Sequence, residues 1–251
     1  MAMKVLALDT STATASIALC DGAAVLAEAA LAVGRKRGEH LPDAIAWLLG
    51  TLGMKPAEVE GFAVGLGPGS FTGLRSGLAL VKGLALPVER PVVGVSSLHA
   101  LAAAAVGHRG PVLPVIDAHK GEVYSAVFSA DGSGLPARLS LDSALLPGRL
   151  PDLLAAAGIA PASDHSYFNV LVLGDGLLKH ADAIAAALGV VARASGPCLQ
   201  FASAISWPPR AAWVAALAWP RLAAGDSDPL DPLVPIYVRS SDTDLRLGPR
   251  A

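Results

Sequence analysis

Charge is scarce in this chain: 16% of residues are Asp, Glu, Lys or Arg, and 21 acidic against 19 basic side chains leave a net charge of -2. A balance of that kind holds no basic excess to neutralise a run of phosphates, which excludes strong nucleic-acid binding by this chain alone. Cysteine is nearly missing. Cys20 and Cys198 stand far apart and outside any CxxC spacing, so they read as inert buried thiols rather than a disulfide or a ligand pair. No apolar run is long enough to span a bilayer: Asp9 interrupts the N-terminal run too early for a signal peptide, and Pro220 and Arg221 break the run AAWVAALAWPRLAAG. The expectation is a compact cytoplasmic protein with no membrane partner.

Apolar residues make up 53% of the 251 residues, enough to bury one large core or two lobes of about a hundred residues each. The spacing predicts strands at Val5 to Leu8, Ala15 to Cys20 and Ala23 to Ala30, with the Asp21-Gly22 turn between the last two. Apolar residues at 41, 45, 48, 49 and 52 predict a helix that Gly53 stops. Strands at 59–66 and 91–95 then alternate with helices at the glycine-rich stretch and at 97–106. After Gly107 the theme returns. VLALDTSTATASIALCDG and VLPVIDAHKGEVYSAVFSADG share apolar strand, Asp, turn, strand and Asp-Gly, which points to an internal duplication. A strand at 169–173 ending in Gly174-Asp175-Gly176, a helix at 177–188, a strand at 190–194 and a helix at 211–223 complete the reading. The predicted class is α/β, a duplicated two-lobe fold with mixed sheets flanked by helices, divided at 1–106 and 107–251.

GLGPGSFTGLRSGLALVKGLA, Gly65 to Ala85, has the outline of a phosphate loop running into a helix. It lacks the GK[ST] ending and the GxGxxG spacing of the two nucleotide loops, and Lys82 lies well inside the helix. What remains is a tight Gly-Pro-Gly turn, Ser70 or Thr72 as N-cap, and a helix. Gly73 and Gly77 fall on one stripe with Leu80 and Leu84. Glycine costs about 1 kcal/mol in a helix interior, so this stripe predicts a close neighbour, either the 39–52 helix or a partner. Trp47 lies off the apolar stripe of that helix, as an interface residue would.

MKVLALDTSTATASIALCDG, RGEHLPDAIAWLL, GLGPGSFTGLR, GVSSLHALA, VIDAHKGEVYSAVF, LGDG and PIYVR together resemble the TsaB family over the whole chain in order; the late stretch from Phe201 to Trp219 departs from its pattern. The resemblance implies an actin-like (ribonuclease H-like) fold without chemistry of its own. It implies a subunit that binds and activates TsaD, with TsaE in a larger complex, in transferring a threonylcarbamoyl group to the adenosine next to the anticodon of tRNAs reading ANN codons. It also implies self-association as a dimer through the same first-lobe helices, and contact with tRNA only through the complex. Trp47, Gly73, Gly77, Leu80 and Leu84 are then the partner-interface candidates.

An alternative reading is an actin-like ATP-dependent enzyme. The hairpins of that fold face each other across a cleft, so Asp9, Thr10, Asp117 and Gly174 are the candidates for weak ATP or ADP with Mg. Against it, the turn after Asp9 reads Thr-Ser-Thr, without the glycine that lets backbone approach phosphate. A peptidase reading lacks its ligands. None of His40, His99, His108, His119, His165 and His180 forms an i, i+4 pair or an HExxH. No metal site and no catalytic residue are expected.

Overall fold

The computed structural model describes residues 3–32, 37–160, 169–189 and 199–238. Strands β1 (Lys4–Asp9), β2 (Thr14–Asp21), β3 (Ala24–Ala32), β4 (Gly61–Gly65) and β5 (Val92–Val95) form one sheet in the order β3-β2-β1-β4-β5. The first three are antiparallel, and β4 and β5 add parallel to β1. β1 and β4 read as continuous apolar runs because both faces are covered.

A second sheet repeats this plan. β6 (Arg109–Asp117) pairs antiparallel with β7 (Val123–Ser125) and β8 (Phe128–Asp131), two halves of a single return strand broken at Ala126 and Val127. β9 (Ala137–Arg138) and β10 (Ser143–Leu145) flank those halves, and β11 (Leu171–Leu173) and β12 (Gln200–Phe201) add parallel on the other side. Strand by strand, the order matches that of the first sheet. The duplicated actin-like arrangement is therefore present in the backbone. The strand expected at 190–194 lies outside the described residues.

Helices α1 (Arg37–Thr51) and α2 (Phe71–Ala85) cover one face of the first sheet. The predicted stripe holds: Leu41, Ile45, Leu48 and Leu49 are buried against Leu6, Leu8, Ile17 and Leu19, each worth about 1.5–3 kcal/mol of burial. α3 (Ser97–Ala103) wedges between the sheets, packing Leu98 and Leu101 on Phe128 while Ala100 faces the first core. On the second sheet, α4 (Leu150–Ala156) and α5 (Leu177–Ala187) bury Leu150, Leu154 and Ile184.

The expected second lobe, 107–251, does not stay together. α6 (Ala211–Ala223) returns to cover the other face of the first sheet, burying Ala211, Val214, Ala215 and Ala218 on Val5, Ala7, Ala18 and Val93. Its small, all-round apolar surface suits that flat, alanine-rich sheet face. Beyond it, residues 226–237 form a strap along the edge strand β5. Asp228 N donates to Val92 O (2.8 Å), Gly94 N donates to Asp228 Oδ2 (2.8 Å) and Ile236 N donates to Leu66 O (2.8 Å). Arg221 pins the strap by donating to both Asp226 and Asp228. Leu230, Leu233 and Ile236 sink into the first core.

Candidate functional site

The two Asp-tipped strands do bring their turns to a common cleft, of about 260 Å³, between Ser11, Thr12 and Ser70 on one side and Asp117, Asp175 and Lys179 on the other. The two aspartates, however, play different parts in it.

Asp9 closes β1 and is wholly buried. Its Oδ1 accepts from Ser11 N (2.9 Å) and Ser11 Oγ (2.6 Å), and its Oδ2 accepts from Ser97 Oγ (2.6 Å). Ser97 Oγ in turn accepts from Gly67 N (3.1 Å). Burial pushes the Asp9 carboxyl above its ordinary range, against the opposing pull of these hydrogen bonds. A Cβ on Gly65 would lie 2.0 Å from Asp9 Oδ2, so the strand beside it must be bare. Asp9 thus ties the first turn, the Gly-Pro-Gly loop and the start of α3 together, and points away from the cleft. Thr10 is buried as well and donates from Oγ1 to Gly73 O (2.8 Å).

Asp117 does reach the cleft but is already engaged. Lys179 Nζ donates to Oδ2, His119 N donates to Oδ1 (3.0 Å), and the rings of His119 and His180 approach to 3.3 and 3.5 Å. Burial pushes this carboxyl up, but the Lys179 hydrogen bond, the His119 amide and the Lys179 charge outweigh it and hold it below the usual range. Asp175, behind it, accepts from Asp117 N (3.3 Å) and is held above its usual range by burial first and by the charge of Asp117 as a smaller cause. Gly174 is needed for packing, since a Cβ there would meet Val115 O at 2.0 Å. Of the four nucleotide candidates, then, Asp117 alone faces the cleft, and its charge is spent on Lys179. A metal–nucleotide held between Asp9 and Asp117 does not fit this arrangement. Ser97, Asp175, Lys179 and His180 were not foreseen as parts of this network. The i, i+4 spacing of Asp175 and Lys179 on one helix start was the available signal.

The partner-face candidates also separate. Gly73 and Gly77 do clear space for a neighbour, but the neighbour is the β1–β2 turn: a Cβ on Gly73 would come 2.2 Å from Thr10 O, and one on Gly77 2.3 Å from Thr10 Oγ1. Both glycines are buried, so neither lies on an exposed face. Leu80 and Leu84 are half-buried, packed on the core beneath α1 and α2. Trp47 is 64% exposed. Near the start of α2, Arg75 stacks on Phe71 (4.8 Å to the ring centroid), and Phe71 on Tyr237 of the strap (5.5 Å between centroids).

A family model for TsaD, tRNA N6-adenosine threonylcarbamoyltransferase, matches residues 31–145. The Escherichia coli K12 tRNA threonylcarbamoyladenosine biosynthesis protein TsaB is 38% identical over 118 residues, 46% of this chain and 51% of that protein. Its Bacillus subtilis 168 counterpart is 37% identical over 116 residues, again 46% and 51%. The chain thus spans about half the length of the curated relatives it matches. The solved YeaZ protein of Pseudomonas aeruginosa superposes with a TM-score of 0.74 at 27% identity, over 94% of this chain and 99% of that one. Part of the chain is thus similar in sequence to TsaB proteins, and its backbone as a whole is similar to that of YeaZ. A second solved Pseudomonas aeruginosa chain, with a TM-score of 0.75 and 27% identity over 94% of this chain and all of that one, is described as similar to the peptidase YeaZ. No group of three His, Cys, Asp or Glu could hold a metal ion among the described residues. No helix among them is long and apolar enough to cross a membrane.

Proposed function

We propose that this chain is a cytoplasmic, non-catalytic subunit that binds and activates a TsaD-type transferase, in transferring a threonylcarbamoyl group to the adenosine next to the anticodon of tRNA. Its TsaB relatives are named for threonylcarbamoyladenosine biosynthesis. The observation that carries the reading is the state of the cleft: Asp9 is turned inward and Asp117 is neutralised by Lys179. Each aspartate is engaged by its own turn and a neighbouring helix rather than by a reactant. The surface assigned to the partner is the outer face of α1 and α2, where Trp47 stands exposed on a well-packed helix pair. Trp is among the residues enriched at interface hot spots. TsaE and tRNA would join through the TsaD-type partner.

The test is co-purification with the TsaD-type protein of the same cell, followed by a tRNA modification assay with and without this chain. Trp47→Asp is expected to weaken binding by about thirtyfold or more and leave the melting temperature in place. Modification that proceeds equally well without the chain, or undiminished binding of Trp47→Asp, overturns the reading.

A further inference from the structure

Two hydrogen bonds join the turn between β1 and β2 to the start of α2: Thr10 Oγ1 donates to Gly73 O (2.8 Å), and Ser70 N donates to Ser11 O (2.7 Å). Three glycines make room for that turn. A Cβ added at Gly69, Gly73 or Gly77 would come within 2.3 Å of Ser11 O, 2.2 Å of Thr10 O or 2.3 Å of Thr10 Oγ1 respectively. Thr10, 1% exposed, thus lies in a notch of α2 with its methyl as well as its hydroxyl against the helix; the Gly77 Cβ would also meet Thr10 Cγ2 at 3.1 Å. The turn is anchored on its other side, where Asp9 accepts from Ser11 and from Ser97. The hydroxyl that a nucleotide reading would aim at phosphate is spent on α2.

The rest of α2 is held by apolar contact, through buried Leu74, Leu78, Val81 and Ala85. Apolar burial is non-directional: it decides which face of a helix turns inward and sets its position along the axis only loosely. A hydrogen bond has a length and an angle, so Thr10, together with Ser70 N at the helix start, supplies the directional hold. We propose, resting on the assignment of the outer face of α1 and α2 to the TsaD-type partner, that Thr10 is a positioning residue for that partner. Its hydroxyl fixes where the first two turns of α2 stand against α1, and with them the surface the partner meets. Being buried, Thr10 acts through α2 alone. Gly73 O keeps Gly77 N as its ordinary helical donor, so deleting the hydroxyl orphans no carbonyl and leaves the fold in place.

Calorimetric titration of full-length variants with the TsaD-type protein of the same cell tests it, with a thermal melt of each variant to confirm folding. Thr10→Val keeps the side-chain shape without the hydroxyl, and is expected to weaken binding by about fivefold, the worth of one ordinary hydrogen bond. Thr10→Ser keeps the hydroxyl and should bind as the parent does. Ser125→Ala removes another buried hydroxyl bond of equal length, from Ser125 Oγ to Pro114 O (2.8 Å) in the second sheet, and should also bind as the parent does. If Thr10→Val does not fold, Thr10→Ala set against Thr10→Ser makes the same comparison. Full-strength binding by the hydroxyl-less variant, while Trp47→Asp binds weakly, overturns the role of Thr10 and leaves the face assignment standing. Equal weakening by Thr10→Ser, or by Ser125→Ala, also overturns it, since the hydroxyl or its place at α2 would then not matter. Undiminished binding of Trp47→Asp overturns the face assignment itself, and the role of Thr10 with it.

Discussion

Alanine replacing glycine in α2 should have opposite signs at different positions. In a helix interior the exchange ordinarily stabilises by about 1 kcal/mol. Gly83 has nothing within 4 Å of an added Cβ, so Gly83→Ala should keep most of that gain, about 0.5–1 kcal/mol. At Gly73 and Gly77 the same methyl would sit 2.2 Å from Thr10 O and 2.3 Å from Thr10 Oγ1. Neither atom can yield freely: one is backbone, and the other belongs to a buried threonine bonded to Gly73 O at 2.8 Å. Overpacking adds a cost of about 1–3 kcal/mol, and loss of the Thr10 bond about 1 more. Set against the propensity gain, Gly73→Ala and Gly77→Ala should each lose about 1–3 kcal/mol. Urea denaturation measures this directly, and in a chain of this size the melting point should fall by about 2–4 °C per kcal/mol. If either variant is as stable as the parent yet loses its partner, the glycines serve an external face after all, and the assignment to Thr10 is wrong.

Two further outcomes concern titrating groups. Lys179→Ala should raise the Asp117 pKa, read by carboxyl NMR, because the Lys179 hydrogen bond and charge oppose the upward push of burial. A carboxyl held low stabilises the fold above its ordinary range and loses that contribution as pH falls through the lowered value. The parent should therefore be the more stable at pH 7, with the difference closing in acid; a gap that widens in acid would contradict the pairing. Burial, and then the charge of Glu28, push the Cys20 thiol up to about 11. At pH 8 its alkylation should be far slower in the folded chain than in urea, and peptide mapping that finds equal rates would refute its burial.

How much of this was legible beforehand depended on the range of the interaction. The apolar spacing of α1 predicts its buried stripe because a helix face is set by residues three and four apart. The repeated strand–Asp–turn–strand phrase likewise predicts the matching strand orders of the two sheets. Asp9 and Asp117 occupy matching places in that phrase, yet they differ in fate because Ser97 reaches Asp9 from 88 positions away while Lys179 reaches Asp117 from 62. Local spacing sets Lys179 beside Asp175 but carries no trace of its bond to Asp117, or of Ser97 at Asp9. Gly73 and Gly77 announce a close approach without naming what approaches. The break of the return strand into β7 and β8, the short strands β9 and β10, and α4 went unforeseen, because short elements leave too few residues to show a period.

The return of α6 to the first sheet has a consequence during synthesis. β5 closes that sheet at Val95, whereas the helix that covers its second face begins only at Ala211. At about 5–20 residues per second, a ribosome takes roughly ten seconds to cover that interval. For that time Val5, Ala7, Ala18 and Val93 lie bare on a finished sheet. The nascent chain is then an apolar plate waiting for its lid, and the cellular factors that guard emerging polypeptides should find it there before the protein can close over itself.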